Sequence, residues 1–260
     1  MSKEHLAYLK KRKKEKIIVL FFQLFILIAF LLAWELCSKY KIINPFIFSS
    51  PSKIILTIKN LFVHYHLVHH ILTTFYEIFI AFILGITLSF IIAILLYEFK
   101  TLNKIIDPYL TMLNSLPKVA LGPLIIIVVG ANTKSIIVMA LLINLIVGII
   151  SIYNGFNNID PDFIKLFKTF RASRWDTLVK LTIPATYKTI ISSLKLNISM
   201  TLIGVIMGEF LVSKAGIGYL IIYGTQVFNL NMVMSGIVIL IIISFVLYKI
   251  VTKLEKKLIQ

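Results

Sequence analysis

Residues 160–184 read DPDFIKLFKTFRASRWDTLVKLTIP, a polar and basic island inside a sequence otherwise dominated by long apolar runs. Asp160 suits a helix N-cap, and Pro161 suits the first helical position, where its missing N–H would have no partner in any case. Phe163, Leu166, Phe167 and Phe170 follow at i, i+3, i+4 and i+7, one face of a helix. Lys165, Lys168 and Arg171 fall off that face. Ser173-Arg-Trp-Asp176 is a capping-box pattern that opens a second helix, and Pro184 is expected to end or kink it. The expectation is two short amphipathic helices with a corner near Arg171–Ser173. By pattern alone this fits a loop lying on a bilayer by its apolar face as well as an element that grips a soluble partner.

The surrounding composition decides the setting. Of 260 residues, 59% are hydrophobic and mean hydropathy is +0.95, far too apolar for a soluble domain of this size. A helix needs about 20 apolar residues to cross the hydrocarbon. Six candidates emerge, near 17–37, 75–97, 107–131, 135–154, 189–212 and 231–249. The third is interrupted by Pro108, Pro117 and Pro123. The fold class is therefore all-α, a polytopic membrane protein with six transmembrane helices. The first run is uncharged from Ile17 to Trp34 and ends without small residues, which predicts an uncleaved span rather than a removed signal peptide.

The net charge of +16 raises nucleic acid as a partner, but the basic residues lie grouped between apolar runs and no nucleic-acid motif is present. With the N-terminus inside, the segments 1–16, 98–107, 155–188 and 249–260 hold 19 basic residues, against 6 in the outer segments. That asymmetry predicts both termini in the cytoplasm and places the island there too. It also separates a basic N-terminal segment, 1–16, from a six-span domain over 17–255. The single cysteine, Cys37, excludes an intrachain disulfide and a multi-cysteine zinc site. Pro45–Tyr65 reads as an outer loop with a short amphipathic helix after Pro51.

With its flanks, the island resembles the cytoplasmic loop of binding-protein-dependent ABC importer permeases. That family's loop pattern is Glu-Ala-Ala, three residues, Gly, nine residues, Ile, any residue, Leu-Pro. Its spacing lands here on Lys165-Leu166-Phe167, Arg171 and Leu181-Thr182-Ile183-Pro184. The end matches; the Glu-Ala-Ala and Gly positions depart. Three further segments match in order: Asp107-Pro-Tyr-Leu…Leu116-Pro-Lys-Val-Ala-Leu-Gly-Pro-Leu124, Asp160-Pro-Asp162, and Gly208-Glu-Phe…Ala215-Gly-Ile-Gly-Tyr-Leu220. The resemblance covers about residues 70–255 and is strongest to permeases for nitrate, sulfonate, taurine, bicarbonate and thiamine precursors.

The resemblance implies a type I importer permease-like fold in the cell (inner) membrane. It implies a second permease subunit, as a homodimer, around a central path. It also implies cytoplasmic ABC ATPase subunits that receive the loop, and an extracytoplasmic binding protein that delivers the solute. The coupling loop would span 155–188, with Asp160, Pro161, Lys165, Leu166, Phe167, Arg171, Ala172, Ser173 and Pro184 as its residues. ATP would be used by the partner, because this chain carries no G-x-x-x-x-G-K-[ST] phosphate loop and is expected to bind no cofactor of its own.

Glycine at the corner would permit a left-handed backbone, whereas Arg171 bears a cost of about 1 kcal/mol there. Either the corner is less sharp in this chain or Arg171 makes a compensating contact. The charge reversal at Lys165 predicts a compensating change in the partner's cleft. Among charged residues in or near spans, Lys118 is the leading candidate for the translocation path, because Pro117 and Pro123 loosen the chain around it; Asn114, Ser115, Asn144 and Glu209 are further candidates. Lys195 is expected to snorkel to the cytoplasm, and Glu77 and Glu209 lie near the outer ends of their spans. Among His64, His66, His69 and His70, the pair His66 and His70 would lie one helical turn apart and could share a metal, but a solvated interfacial segment is the expectation. Two rivals remain. An ion-coupled secondary transporter would need mid-span carboxylates, which are scarce here, and an integral-membrane enzyme would need a cytoplasmic His/Asp/Glu constellation, which the sequence does not show.

Overall fold

The computed structural model describes residues 3–259; Met1 and Ser2 of the expected N-terminal segment and Gln260 lie outside them. Among the described residues the chain is helical, with no strand. The helices are α1 (Lys3–Lys39), α2 (Pro45–Phe48), α3 (Pro51–His64), α4 (Leu67–Glu98), α5 (Lys100–Ser115), α6 (Gly122–Val129), α7 (Thr133–Asn157), α8 (Pro161–Thr169), α9 (Arg174–Thr177), α10 (Ile183–Val212), α11 (Ile217–Gln226) and α12 (Leu230–Ile259). A 3-10 turn, Lys118–Leu121, precedes α6, and a π turn, Leu178–Thr182, joins α9 to α10. Five helical stretches are long and apolar enough to cross a membrane, and α5 with its continuation to Val129 makes a sixth if counted as one broken span.

The third span differs in form from its expectation. α5 begins at Lys100, within the segment read as an inner loop, and the path turns by 92° before Lys118–Val129. Only Pro117 breaks it. Proline drives the residue before it out of the helical region, and Leu116 is extended, with ψ at 139°. Pro108 lies inside α5, and Pro123 stands at the start of α6, where a missing N–H costs no hydrogen bond.

The chain divides into two compact units. One comprises residues 66–223 and 236–260 and is built on α4, α7 and α10, which pack on one another. Ile78, Ala81, Ile136, Ala140, Ile198 and Val205 form its core. In lipid, helices gain little from burying apolar surface, so close backbone approach and interhelical hydrogen bonds hold them together. Both are present. A Cβ on Gly204 would sit 2.5 Å from the Ala140 Cα, so α10 meets α7 nearly backbone to backbone. Asn144 on α7 donates from Nδ2 to the Ala81 carbonyl of α4 (3.1 Å) and to Thr201 Oγ1 of α10 (2.7 Å), tying all three helices at one level. A second cluster, Ala93, Ile152 and Phe156, closes the end of the bundle next to α8.

The other unit comprises residues 1–65 and 224–235. Within it, the expected helix after Pro51 is α3, capped by Ser50. Glu35 on α1 accepts from the Ser52 backbone N–H (3.0 Å) and the Ser52 hydroxyl (2.8 Å), so the start of α3 is pinned to the end of α1.

Candidate functional site

The loop at 160–184 is built from its caps. Asp160 Oδ1 accepts from the Asp162 N–H at 2.9 Å, and Pro161 opens α8. Lys165 pairs with Asp162 at 2.8 Å on the exposed surface. After α8 the chain turns at Arg171, the position where the loop pattern quoted above has glycine. Arg171 takes φ +53°, the left-handed region. The Arg171 N–H donates to the Lys168 carbonyl (2.9 Å) and the Ala172 N–H to the Phe167 carbonyl (3.1 Å). This pair of bonds is the Schellman C-terminus of a helix, here with arginine at the position that usually carries glycine. Of the two expectations for the corner, the reduced sharpness is therefore excluded: the turn is sharp. The Arg171 guanidinium makes no hydrogen bond or ion pair among the described residues. Ser173 then caps α9, its hydroxyl accepting from the Asp176 N–H (3.0 Å) and donating to Asp176 Oδ2 (2.5 Å); Asp176 also holds Lys180 at 2.6 Å.

The apolar stripe of α8 does not face one way. Ile164 and Phe167 are half-buried toward the bundle, whereas Phe163, Leu166 and Phe170 are exposed, Phe170 at 76%, and Trp175 on α9 at 62%. The loop thus presents an aromatic and aliphatic surface edged by Lys165 and Arg171.

Pro184 does not end the second helix. The helical path runs from Arg174 through the π turn into α10, a stretch reaching Val212. The Ile183 N–H reaches back five residues to the Leu178 carbonyl. The wider π ring absorbs the missing proline N–H and the steric demand of its ring without a break. This junction is anchored: Leu178 and Thr182 are fully buried, and the Thr182 hydroxyl meets the Tyr97 hydroxyl of α4 at 3.1 Å. Displacement of α8 and α9 therefore bears on a continuous helix of the bundle.

The five path candidates separate into two groups. Asn114 and Ser115 are exposed at the end of α5, and Lys118 is half-buried at the bend. Lys118 Nζ donates to the Asn114 carbonyl at 3.1 Å, so its ammonium caps the last turn of α5. Asn144 and Glu209 are buried between helices. Glu209 Oε1 accepts from the Thr74 hydroxyl (2.6 Å) and Oε2 from the Gly218 N–H (2.5 Å), while the Ile217 N–H donates to Thr74 Oγ1 (2.9 Å). Gly216, at φ +109°, lies against the Glu209 carboxylate, where a Cβ would collide with it.

Two features went unseen in the sequence. His70 is buried, accepts from the Gly216 N–H at 3.0 Å and stacks on Tyr219. It is thus a packing residue and not part of a solvated segment. α4 starts at Leu67, early enough to carry it inward. Lys195, expected to snorkel, pairs with Glu255 of α12 at 2.5 Å, because α12 passes beside α10. The polarity of His70 and Glu255 was visible, but their partners lie far along the chain.

The profile of the family described as "Binding-protein-dependent transport system inner membrane component" matches residues 85–260. A probable ABC transporter permease protein of Haemophilus influenzae is 29% identical over 219 residues, covering 84% of this chain and 88% of the relative. The putative aliphatic sulfonates transport permease protein SsuC of Bacillus subtilis is 26% identical, over 87% of this chain and 82% of that one. The formylaminopyrimidine transport permease protein ThiX of Halalkalibacterium halodurans is 23% identical, over 72% and 74%. In fold, the chain superposes on the inward-facing MetNI methionine ABC transporter with a TM-score of 0.67 at 16% identity, over 75% of this chain and 97% of that one. The family match spans well over half of the sequence, and this chain belongs to the binding-protein-dependent transport system inner membrane components, the permease subunits of ABC importers.

Proposed function

We propose that this permease forms, as a homodimer, the path of an ATP-driven importer for a small polar solute of the sulfonate, taurine, nitrate, bicarbonate or thiamine-precursor type. An external binding protein delivers the solute, and separate ATPase subunits hydrolyse ATP on the cytoplasmic side, where both termini lie. The observation that carries the reading is the exposed face of α8, with Phe163, Leu166 and Phe170 unpartnered and the helix fixed by caps at both ends. A docking helix needs that combination: an apolar surface for a cleft, and a rigid frame that passes force on. The π-turn junction and the Tyr97–Thr182 contact supply the mechanical link into α10 and α4. Asp160, Pro161, Ala172, Ser173 and Pro184 shape the loop, Phe167 seats α8 against the bundle, and Lys165, Leu166 and Arg171 meet the ATPase.

For the solute class, support comes from relatives named for aliphatic sulfonates and formylaminopyrimidine. Asn114, Ser115 and Lys118, displayed at the bend, line the path in this reading. Asn144 and Glu209 keep the helices around it in register.

Co-purification tests the docking. A tagged wild-type chain is expected to bring down an ATPase subunit in stoichiometric amount, and Leu166→Asp with Phe170→Asp is expected to lose it while remaining folded. Retention of the ATPase by that double variant, or transport driven by an ion gradient without ATP, would refute the reading.

A further inference from the structure

Behind α8, on the side away from the exposed stripe, lies a cavity of about 530 Å³. Lys100 and Lys104 of α5, Lys168 of α8 and Arg174 of α9 line it, with Glu98 as the one carboxylate. Three separate elements thus converge four cations on one concavity. None of the four forms an ion pair among the described residues. The acids of the loop are engaged elsewhere: Asp160 caps α8, Asp162 is taken by Lys165, and Asp176 by Lys180.

The rest of the lining completes a receptor for an anion. α5 begins at this cavity, with Lys100 and Asn103 of its first turn in the wall, and its N-cap residue Phe99 offers no side-chain acceptor. The free N–H groups and positive end of that helix add to the field of the four cations, offset in part by the carbonyl end of α4, which stops at Glu98. Asn103 supplies a neutral donor, as does Asn157 with the N–H not given to the Tyr153 carbonyl (3.2 Å), and the buried Phe156 with Tyr97 and Tyr153 forms a low-dielectric floor. Cations set around an apolar-floored concavity focus potential into it and draw in counter-ions. Arginine and lysine together suit a tetrahedral oxyanion, which accepts from several directions at once.

We propose that this cavity binds a phosphate-bearing anion, presented as the headgroup of an anionic lipid or as a soluble phosphorylated metabolite. Bound there, the anion bridges α5 to α8 and α9 and holds the loop against the end of the bundle. Binding itself does not depend on the docking reading; only its consequence, modulation of the loop, rests on that reading.

The test uses the full chain, purified in uncharged detergent and in nanodiscs of phosphatidylcholine with or without phosphatidylglycerol. Acetylation of individual lysines is followed with and without inorganic pyrophosphate. Pyrophosphate, phosphatidylglycerol or both are expected to slow acetylation of Lys104 and Lys168 but not of Lys188, which lies outside the cavity. Protection by pyrophosphate identifies a soluble ligand, and protection only in phosphatidylglycerol nanodiscs identifies a lipid headgroup. Lys104→Gln with Arg174→Gln is expected to weaken the effective probe about tenfold or more, and Lys188→Gln to leave it unchanged. The protection assay on the wild-type chain stands even if the double variant fails to fold. Absence of protection by either probe overturns the proposal, as does equal weakening by Lys188→Gln. Unchanged anion binding with loss of a co-purified ATPase in the double variant also overturns it, by assigning the cluster to docking. If no ATPase co-purifies with the wild type but the protection is seen, the docking reading fails and the anion site stands.

Discussion

At the scale of the residue, Arg171 and Glu77 carry the sharpest consequences. Arg171 occupies a left-handed position inside a fully formed Schellman turn, and its guanidinium has no partner among the described residues. Arg171→Gly is therefore expected to raise the stability of the detergent-solubilised chain by about 1 kcal/mol, seen as a higher thermal midpoint. A lower midpoint would mean that the arginine side chain is held by a contact that offsets its backbone. Glu77 is fully buried against the Glu209 carboxyl, and no other group offers its oxygens a hydrogen bond. A buried carboxyl whose one partner is a second carboxyl costs stability, whereas the Thr74 hydroxyl serves both Glu209 and Ile217. Glu77→Gln should leave the midpoint unchanged or raise it, and Thr74→Val should lower stability by about 1–3 kcal/mol. The opposite order in a thermal-shift series would show that Glu77 is the structural member of the pair. The caps at Asp160 and Ser173 were legible because a cap is a local bargain between a side chain and N–H groups two or three residues on. The setting of Glu77 was not, because the groups around it come from α10 and the segment after it.

At the scale of the element, two prolines of similar appearance do different things. Pro117 bends the third span by 92°, and Pro184 is absorbed by a π turn so that α9 and α10 remain one path. The sequence marks both as interruptions, but only the packing around each decides whether the chain turns or widens. At Pro184 the neighbours Leu178 and Thr182 are buried against the bundle, which holds the helix on course. The same packing makes the α7–α10 seam intolerant of bulk. Gly204→Leu would drive a side chain into the Ala140 backbone and is expected to cost about 3 kcal/mol or to prevent assembly of the bundle. Expression level and thermal midpoint, compared with Ile203→Leu on the exposed side of α10, measure this directly.

At the scale of the whole molecule, the expected topology sets Lys104 and Lys168 on one side of the membrane and Lys134 and Lys214 on the other. Cys37 is the only native thiol, so a Cys37→Ser background allows single-cysteine mapping. An impermeant maleimide applied to intact cells should label Lys134→Cys and Lys214→Cys, and label Lys104→Cys and Lys168→Cys only after the membrane is opened. The reverse pattern would invert the topology and remove the loop from the ATPase. What the sequence determined alone was the class of molecule: all-helical, with six candidate spans and a capped basic loop between the fourth and fifth long apolar runs. Hydropathy, charge grouping and caps act over a few residues or over one helix length, so they survive without a fold. What only the tertiary structure decided was which face of α8 stays exposed, how the loop runs unbroken into α10, and which cations share a cavity. Those outcomes depend on residues such as Tyr97, Thr182 and Lys104 meeting across long stretches of chain, and contacts of that kind exist only once the helices have packed.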